Sequence, residues 1–149
     1  MKRFLLALAL LVTSSAVLAD DLVGEVKTST NLIGPNDTIA VARFEDPKIP
    51  GAYCYLASAQ KGGMAANFNM QVSPSEYELS CFGVGNVKVP DNLGNGEIVD
   101  QAKRSALFKT LYVARFIDRQ THRLIYVAYT RYLIDGSPKH AMSSLPYTP

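Results

Sequence analysis

Serine, lysine and histidine fall together once in this chain, at Gly136-Ser137-Pro138-Lys139-His140. A serine hydroxyl beside a lysine or histidine base is the raw material of a nucleophile for acyl transfer. A carboxylate such as Asp135 or Asp118 would then orient the base. The same residues also describe a helix start, with Ser137 as N-cap and Pro138 at the first helical position, and that cap or a plain turn is the favoured reading. Ser58-Ala59-Gln60-Lys61 matches the S-x-x-K of penicillin-binding proteins, yet it closes a strand where that chemistry needs a helix start, and no S-D-N or K-T-G follows. Lys61 and Gly63 join residues 136–140 as a candidate functional surface. His122, in Arg119-Gln120-Thr121-His122-Arg123, reads as an exposed turn histidine. The chain contains no G-x-S-x-G, Walker loop, H-E-x-x-H or EF-hand loop, so neither a metal nor a cofactor is expected.

The compartment decides how the other reactive residues are read. Lys2 and Arg3 precede an uninterrupted apolar run, Phe4 to Val12, and the stretch that follows ends in Val17-Leu18-Ala19. This is the layout of a secretory signal peptide at 1–19, with cleavage expected after Ala19. The run is shorter than the roughly 20 residues that span a bilayer, and no cysteine stands at the cleavage site for lipid attachment. The expected mature chain, 20–149, is long enough for one domain with one core. Export removes two of the 15 basic residues and none of the 13 acidic ones, leaving thirteen of each. A neutral domain offers no electrostatic footing for nucleic acid, and no second apolar run suggests membrane insertion. In an oxidising compartment Cys54 and Cys81 are most simply one disulfide, because neither a Cys-x-x-Cys spacing nor nearby histidines point to redox or metal chemistry.

The elements that must carry these residues are mostly strands. Thr38 to Asp46 stops at Pro47, and the Pro50-Gly51 turn leads into Ala52 to Ala59, a hairpin. Leu111 to Asp118 and Arg123 to Tyr132 make a second hairpin. Glu76 to Val89 holds one or two strands broken at Gly83 and Gly85, and Pro90 to Gly96 is a turn cluster. Glu97 to Phe108 is either a strand or a short helix, and Gly62 to Pro74 reads as a surface loop. No long segment has a helical period. The expectation is a mainly β fold, a single antiparallel β-rich domain (sandwich or partly open barrel) with at most short helices.

The two hairpins resemble each other. Val41-Ala42-Arg43-Phe44-x-Asp46 recurs as Val113-Ala114-Arg115-Phe116-x-Asp118. Convergent packing explains this, and so does an internal duplication. Arg43 shares a strand face with Ile39 and Val41, and Arg115 with Leu111 and Val113, so each guanidinium is expected in a structural ion pair rather than a ligand clamp. Tyr53, Tyr55, Tyr126, Tyr129 and Tyr132 fall on the return strands, where cross-strand packing accounts for them.

Ile33-Gly34-Pro35, Phe44-x-Asp46-Pro47, Cys54-Tyr55, Lys61-x-Gly63, Ser80-Cys81, Leu107-Phe108-Lys109, Arg115-Phe116-x-Asp118, Ala128-Tyr129 and Gly136-Ser137-Pro138-Lys139 run in the order of a known family. On these motifs the chain resembles the CreA family of small exported bacterial proteins. The stretch from Gly62 to Ser80 departs, lacking a glycine-rich acidic run. The resemblance implies a periplasmic protein and no particular reaction. The expectation is therefore a non-enzymatic binding or interaction domain whose partner is an envelope protein or a small ligand. The alternatives are a small hydrolase-like enzyme using Ser137, Lys139 and His140, or a secreted inhibitor of a wall-degrading enzyme.

Overall fold

The structure, a computed structural model, describes residues 21–30, 32–60, 62, 72–103, 110–134 and 137–149. Among these residues there are eight strands and no helix: β1 (Asp21–Lys27), β2 (Thr38–Glu45), β3 (Ala52–Gln60), β4 (Val72–Gly83), β5 (Glu97–Lys103), β6 (Thr110–Asp118), β7 (Arg123–Ile134) and β8 (Ser137–Pro146). They form two four-stranded antiparallel meanders, β1-β2-β3-β4 and β5-β6-β7-β8. The expected mainly β architecture is what the chain adopts, and the ambiguous 97–108 segment supplies β5.

Both central hairpins turn on an aspartate. The Asp46 carboxylate accepts from the Lys48 amide at 2.9 Å, and that of Asp118 accepts from the Gln120 and Thr121 amides at 3.0 and 3.2 Å. Such side-chain-to-backbone bonds hold a turn before any ladder forms. Each turn then leaves through a residue at positive φ, Gly51 (84°) and His122 (52°). At Gly51 a Cβ would lie 2.5 Å from the Val84 carbonyl oxygen, so both the conformation and the space require glycine.

The core lies between the sheets. Phe44, Ile49, Cys54 and Leu56 of the first half meet Leu111, Val113, Leu124, Tyr126 and Leu145 of the second. Strands β4 and β8, each at the edge of its sheet, run beside one another. There the Cys81 amide donates to Ser143 Oγ at 2.8 Å and the Tyr77 hydroxyl donates to the Lys139 carbonyl. Cys54 and Cys81 stand directly opposite on β3 and β4, Cα atoms 4.0 Å apart, and are joined as a disulfide.

Three expectations need correction. Ser137-Pro138 opens strand β8 rather than a helix or turn, and the start of an edge strand is where a sheet tolerates proline. The loop expected through Pro74 ends sooner, since β4 begins at Val72, with Pro74 again on an edge strand. Strand β1, before Thr38, is an addition to the expected elements: it is exposed at every position, so burial imposes no alternation on it.

Candidate functional site

One four-residue row runs across each sheet. In the second sheet Glu97 on β5 pairs with Arg115 on β6, Arg115 with Tyr126 on β7, and Tyr126 with Ser143 on β8. In the first sheet the row is Asp21, Arg43, Tyr55 and Ser80, on β1 to β4 in the same order. A β-bulge falls at the same place in both, between Leu22 and Gly24 and between Ile98 and Asp100. The neighbouring rows also correspond, Leu22–Ala42–Leu56–Leu79 with Ile98–Ala114–Val127–Met142. Identical register, identical bulge and matching rows on four strands make the repeated motif part of a duplicated four-stranded unit. Convergence of one short motif would not carry the bulge with it.

The two units bury opposite faces. Ala40, Ala42 and Phe44 of β2 point into the core, so Arg43 points out with its side chain 44% exposed. Leu111, Val113, Arg115 and Ile117 of β6 point in, and Arg115 is fully buried. Its Nη1 donates to both Asp46 oxygens at 2.8 Å, the Tyr126 hydroxyl donates to Asp46 Oδ2 at 2.9 Å, and Nη2 donates to Glu97. Lys48 reaches Glu97 from outside, and its hydrogen bond, ahead of the Arg115 charge, holds that carboxyl below the usual range. Burial, with Asp46 adding to it, pushes the Tyr126 phenol far up, so it stays a donor. The expected structural ion pair is present at Arg115, and it clasps the hairpin of one sheet to the other sheet. Arg115 Nε has no acceptor among the described residues.

The outward row carries the same residue types. Arg43 Nη2 donates to Asp21 Oδ2 at 2.9 Å, and that bond raises the guanidinium pKa. Its guanidinium carbon lies 5.9 Å from the Tyr53 ring centroid. Phe82 stacks against Tyr53 and Tyr55 at centroid distances of 5.9 and 5.1 Å. Arg43, exposed, with Tyr55 at the surface and Tyr53 and Phe82 half-buried beside it, thus forms an outward platform of one cation and three rings, able to take a carboxylate on the guanidinium and an apolar group on the rings.

The residues singled out by composition are spread rather than gathered. Lys61, Gly63 and Gly136 lie outside the described residues, and so does Asp135. Ser137 opens β8. Pro138 is exposed, its carbonyl 3.3 Å from His140 Nδ1. His140 pairs with Tyr129 on the outward face, whereas Lys139 lies on the other face of the strand. Lys139 and His140 therefore do not converge, and Asp118 stands opposite Arg123, far along β7 from the Tyr129 that faces His140. His122 is exposed, its ring edge-on to Tyr147 at 5.6 Å. Ser58 is buried on β3. No group of three His, Cys, Asp or Glu able to hold a metal occurs among the described residues, and no helix there is long and apolar enough to cross a membrane. The Arg43–Tyr55 row was missed because its first member, Asp21, stands on the strand that periodicity did not reveal. The recurring V-A-R-F-x-D was the available signal.

A family model described as CreA protein matches residues 23–149. Proteins named Protein CreA from Escherichia coli K12, O6:H1 and O157:H7 are each 34% identical over 152 residues, covering 99% of this chain and 96% of the relative. No solved structure matches significantly. The chain belongs to the CreA family.

Proposed function

We propose that this member of the CreA family is an exported, non-enzymatic interaction domain of the cell envelope, engaging its partner through the outward face of the first sheet. The observation that carries the reading is the duplicated row. In the second sheet, Arg115, braced by Glu97, and Tyr126 grip a carboxylate on the protein's own hairpin. In the first sheet, Asp21, Arg43 and Tyr55 repeat that arrangement on the surface beside Tyr53 and Phe82. A surface that duplicates a working carboxylate clamp is suited to bind one.

Export rests on the basic start, the apolar run and the Val17-Leu18-Ala19 ending, with a periplasmic destination. Fractionation of the source cell should return a soluble periplasmic chain whose intact mass begins at Asp20. A cytoplasmic chain retaining Met1 would refute this part. For the binding face, a photo-reactive residue replacing Phe82 should capture a partner in envelope preparations, and Arg43→Gln should abolish that capture. Capture unaffected by Arg43→Gln, or no capture at all, would reject the face.

A further inference from the structure

The way the two units stack inside one chain defines a contact that can repeat between chains. Because both units bury different faces, they stack front to back and not about a twofold axis. The first unit offers Ala42, Phe44 and Leu56 with the Asp46 turn, and the second receives them on Val113, Arg115, Tyr126 and Ala128. A front-to-back stack leaves one offering face and one receiving face unused at its ends. The unused offering face belongs to the second sheet. Its Ala114, Phe116 and Val127 correspond by register to Ala42, Phe44 and Leu56, and Asp118 corresponds to Asp46. The unused receiving face belongs to the first sheet, where Val41, Arg43, Tyr55 and Ala57 correspond to Val113, Arg115, Tyr126 and Ala128.

We propose that the chain associates with itself head to tail, the outward face of the second sheet in one copy seating on the outward face of the first sheet in the next, with Asp118 taken by Arg43 and Tyr55. The inference rests on the reading of the first sheet's outward face as the binding face, and names its occupant.

Exposed apolar side chains mark both halves of this contact. Ile98, Phe116 and Met142 are 41%, 39% and 67% exposed on the offering face, and Ile39 and Tyr55 are 39% and 36% exposed on the receiving one. Large side chains left out on two faces that are counterparts of a packed interface are the mark of an association surface. Charge agrees as well. The offering face carries Arg123 directly opposite Asp118, and the receiving face carries Asp21 directly opposite Arg43 with Glu45 two residues along the strand. A contact that sets Asp118 on Arg43 brings Arg123 toward Asp21 and Glu45, so charge favours one register as well as attraction.

Sedimentation velocity on the exported form, Asp20–Pro149, tests this over a concentration series. The expected result is association growing with concentration, and Arg43→Gln or Asp118→Asn alone should weaken it by about thirtyfold or more. Arg43 lies outside the core, and asparagine at 118 keeps the Oδ1 that accepts from the Gln120 and Thr121 amides, so circular dichroism should show both variants folded as the parent. A head-to-tail contact makes one further demand. The Arg43→Gln chain keeps its offering face and the Asp118→Asn chain its receiving face, so their equimolar mixture should form a one-to-one dimer and nothing larger. A chain that stays monomeric to millimolar concentration, variants that associate like the parent, or a mixture without the dimer would each overturn the proposal. If the species captured at position 82 is a different protein while the pure chain stays monomeric, self-association falls and the binding face stands. If nothing is captured either, both fall.

Discussion

Arg43 and Arg115 hold the same place in the same motif and meet opposite fates, and the cause is the residues two positions away. On β2 the arginine's own face ends in Glu45, while the other face is Ala40, Ala42 and Phe44. On β6 the corresponding end position is Ile117, and Tyr112 stands where β2 has Ala40. With Leu111, Val113 and Ile117 beside it, the arginine face of β6 is the more apolar one and goes inside. Arg115 is tolerated there only because Asp46, Glu97 and Tyr126 satisfy it. Arg115→Ala should therefore destabilise the fold by about 3–5 kcal/mol, since it leaves Asp46 charged and unpaired in the core. Arg43→Ala should leave the chemical-denaturation midpoint nearly unchanged. Tyr77 makes a pH prediction. Burial pushes its phenol up to about 12 from an ordinary 10.0, so the folded state keeps a proton that the unfolded state gives up. Its contribution is full below pH 10 and is lost as pH rises toward 12. Between those limits the fall of unfolding free energy with pH should be shallower in Tyr77→Phe, with the part due to Tyr126 remaining.

At the scale of elements, β3 and β4 form a hairpin whose two strands are also tied covalently. The Cys54–Cys81 bridge joins residues already opposite in the ladder, so its main effect is on the unfolded chain, where it closes a long loop. Replacing both cysteines by alanine should cost about 3–4 kcal/mol in the chain-entropy model, read as a lower denaturation midpoint in non-reducing buffer. A midpoint equal to that of the parent would show that the bridge does not form. The same unit shows which elements leave a trace in sequence. Strands β2, β3, β6 and β7 are central, alternate cleanly and stand out as two hairpins. Of the edge strands, β4 and β5 lie in segments that read in part as strand, whereas β1, exposed along its whole length, and β8, opened by Ser137-Pro138, do not. An edge strand needs only one hydrogen-bonded neighbour, so the pattern that betrays a central strand is not imposed on it.

For the whole molecule, the front-to-back stacking of two like units explains both the internal clasp and the unused faces. Had the units packed about a twofold axis, Arg43 would face the core as Arg115 does, and no counterpart of the clamp would remain outside. A small domain gains cohesion from the internal contact, and its head-to-tail geometry leaves a receiving face at one end and an offering face at the other.

The amino-acid sequence by itself determined the strand-rich composition, the two central hairpins, the family and the pair of cysteines available for a bridge. Each of these rests on residue types or on neighbours a few positions apart. It also contained the repeated V-A-R-F-x-D. What that repeat meant was decided only by tertiary structure, because alternation along a strand shows which residues share a face and not which face turns inward. That choice depends on the apolar area each face offers across both sheets at once, and so on residues as distant as Asp46 and Arg115.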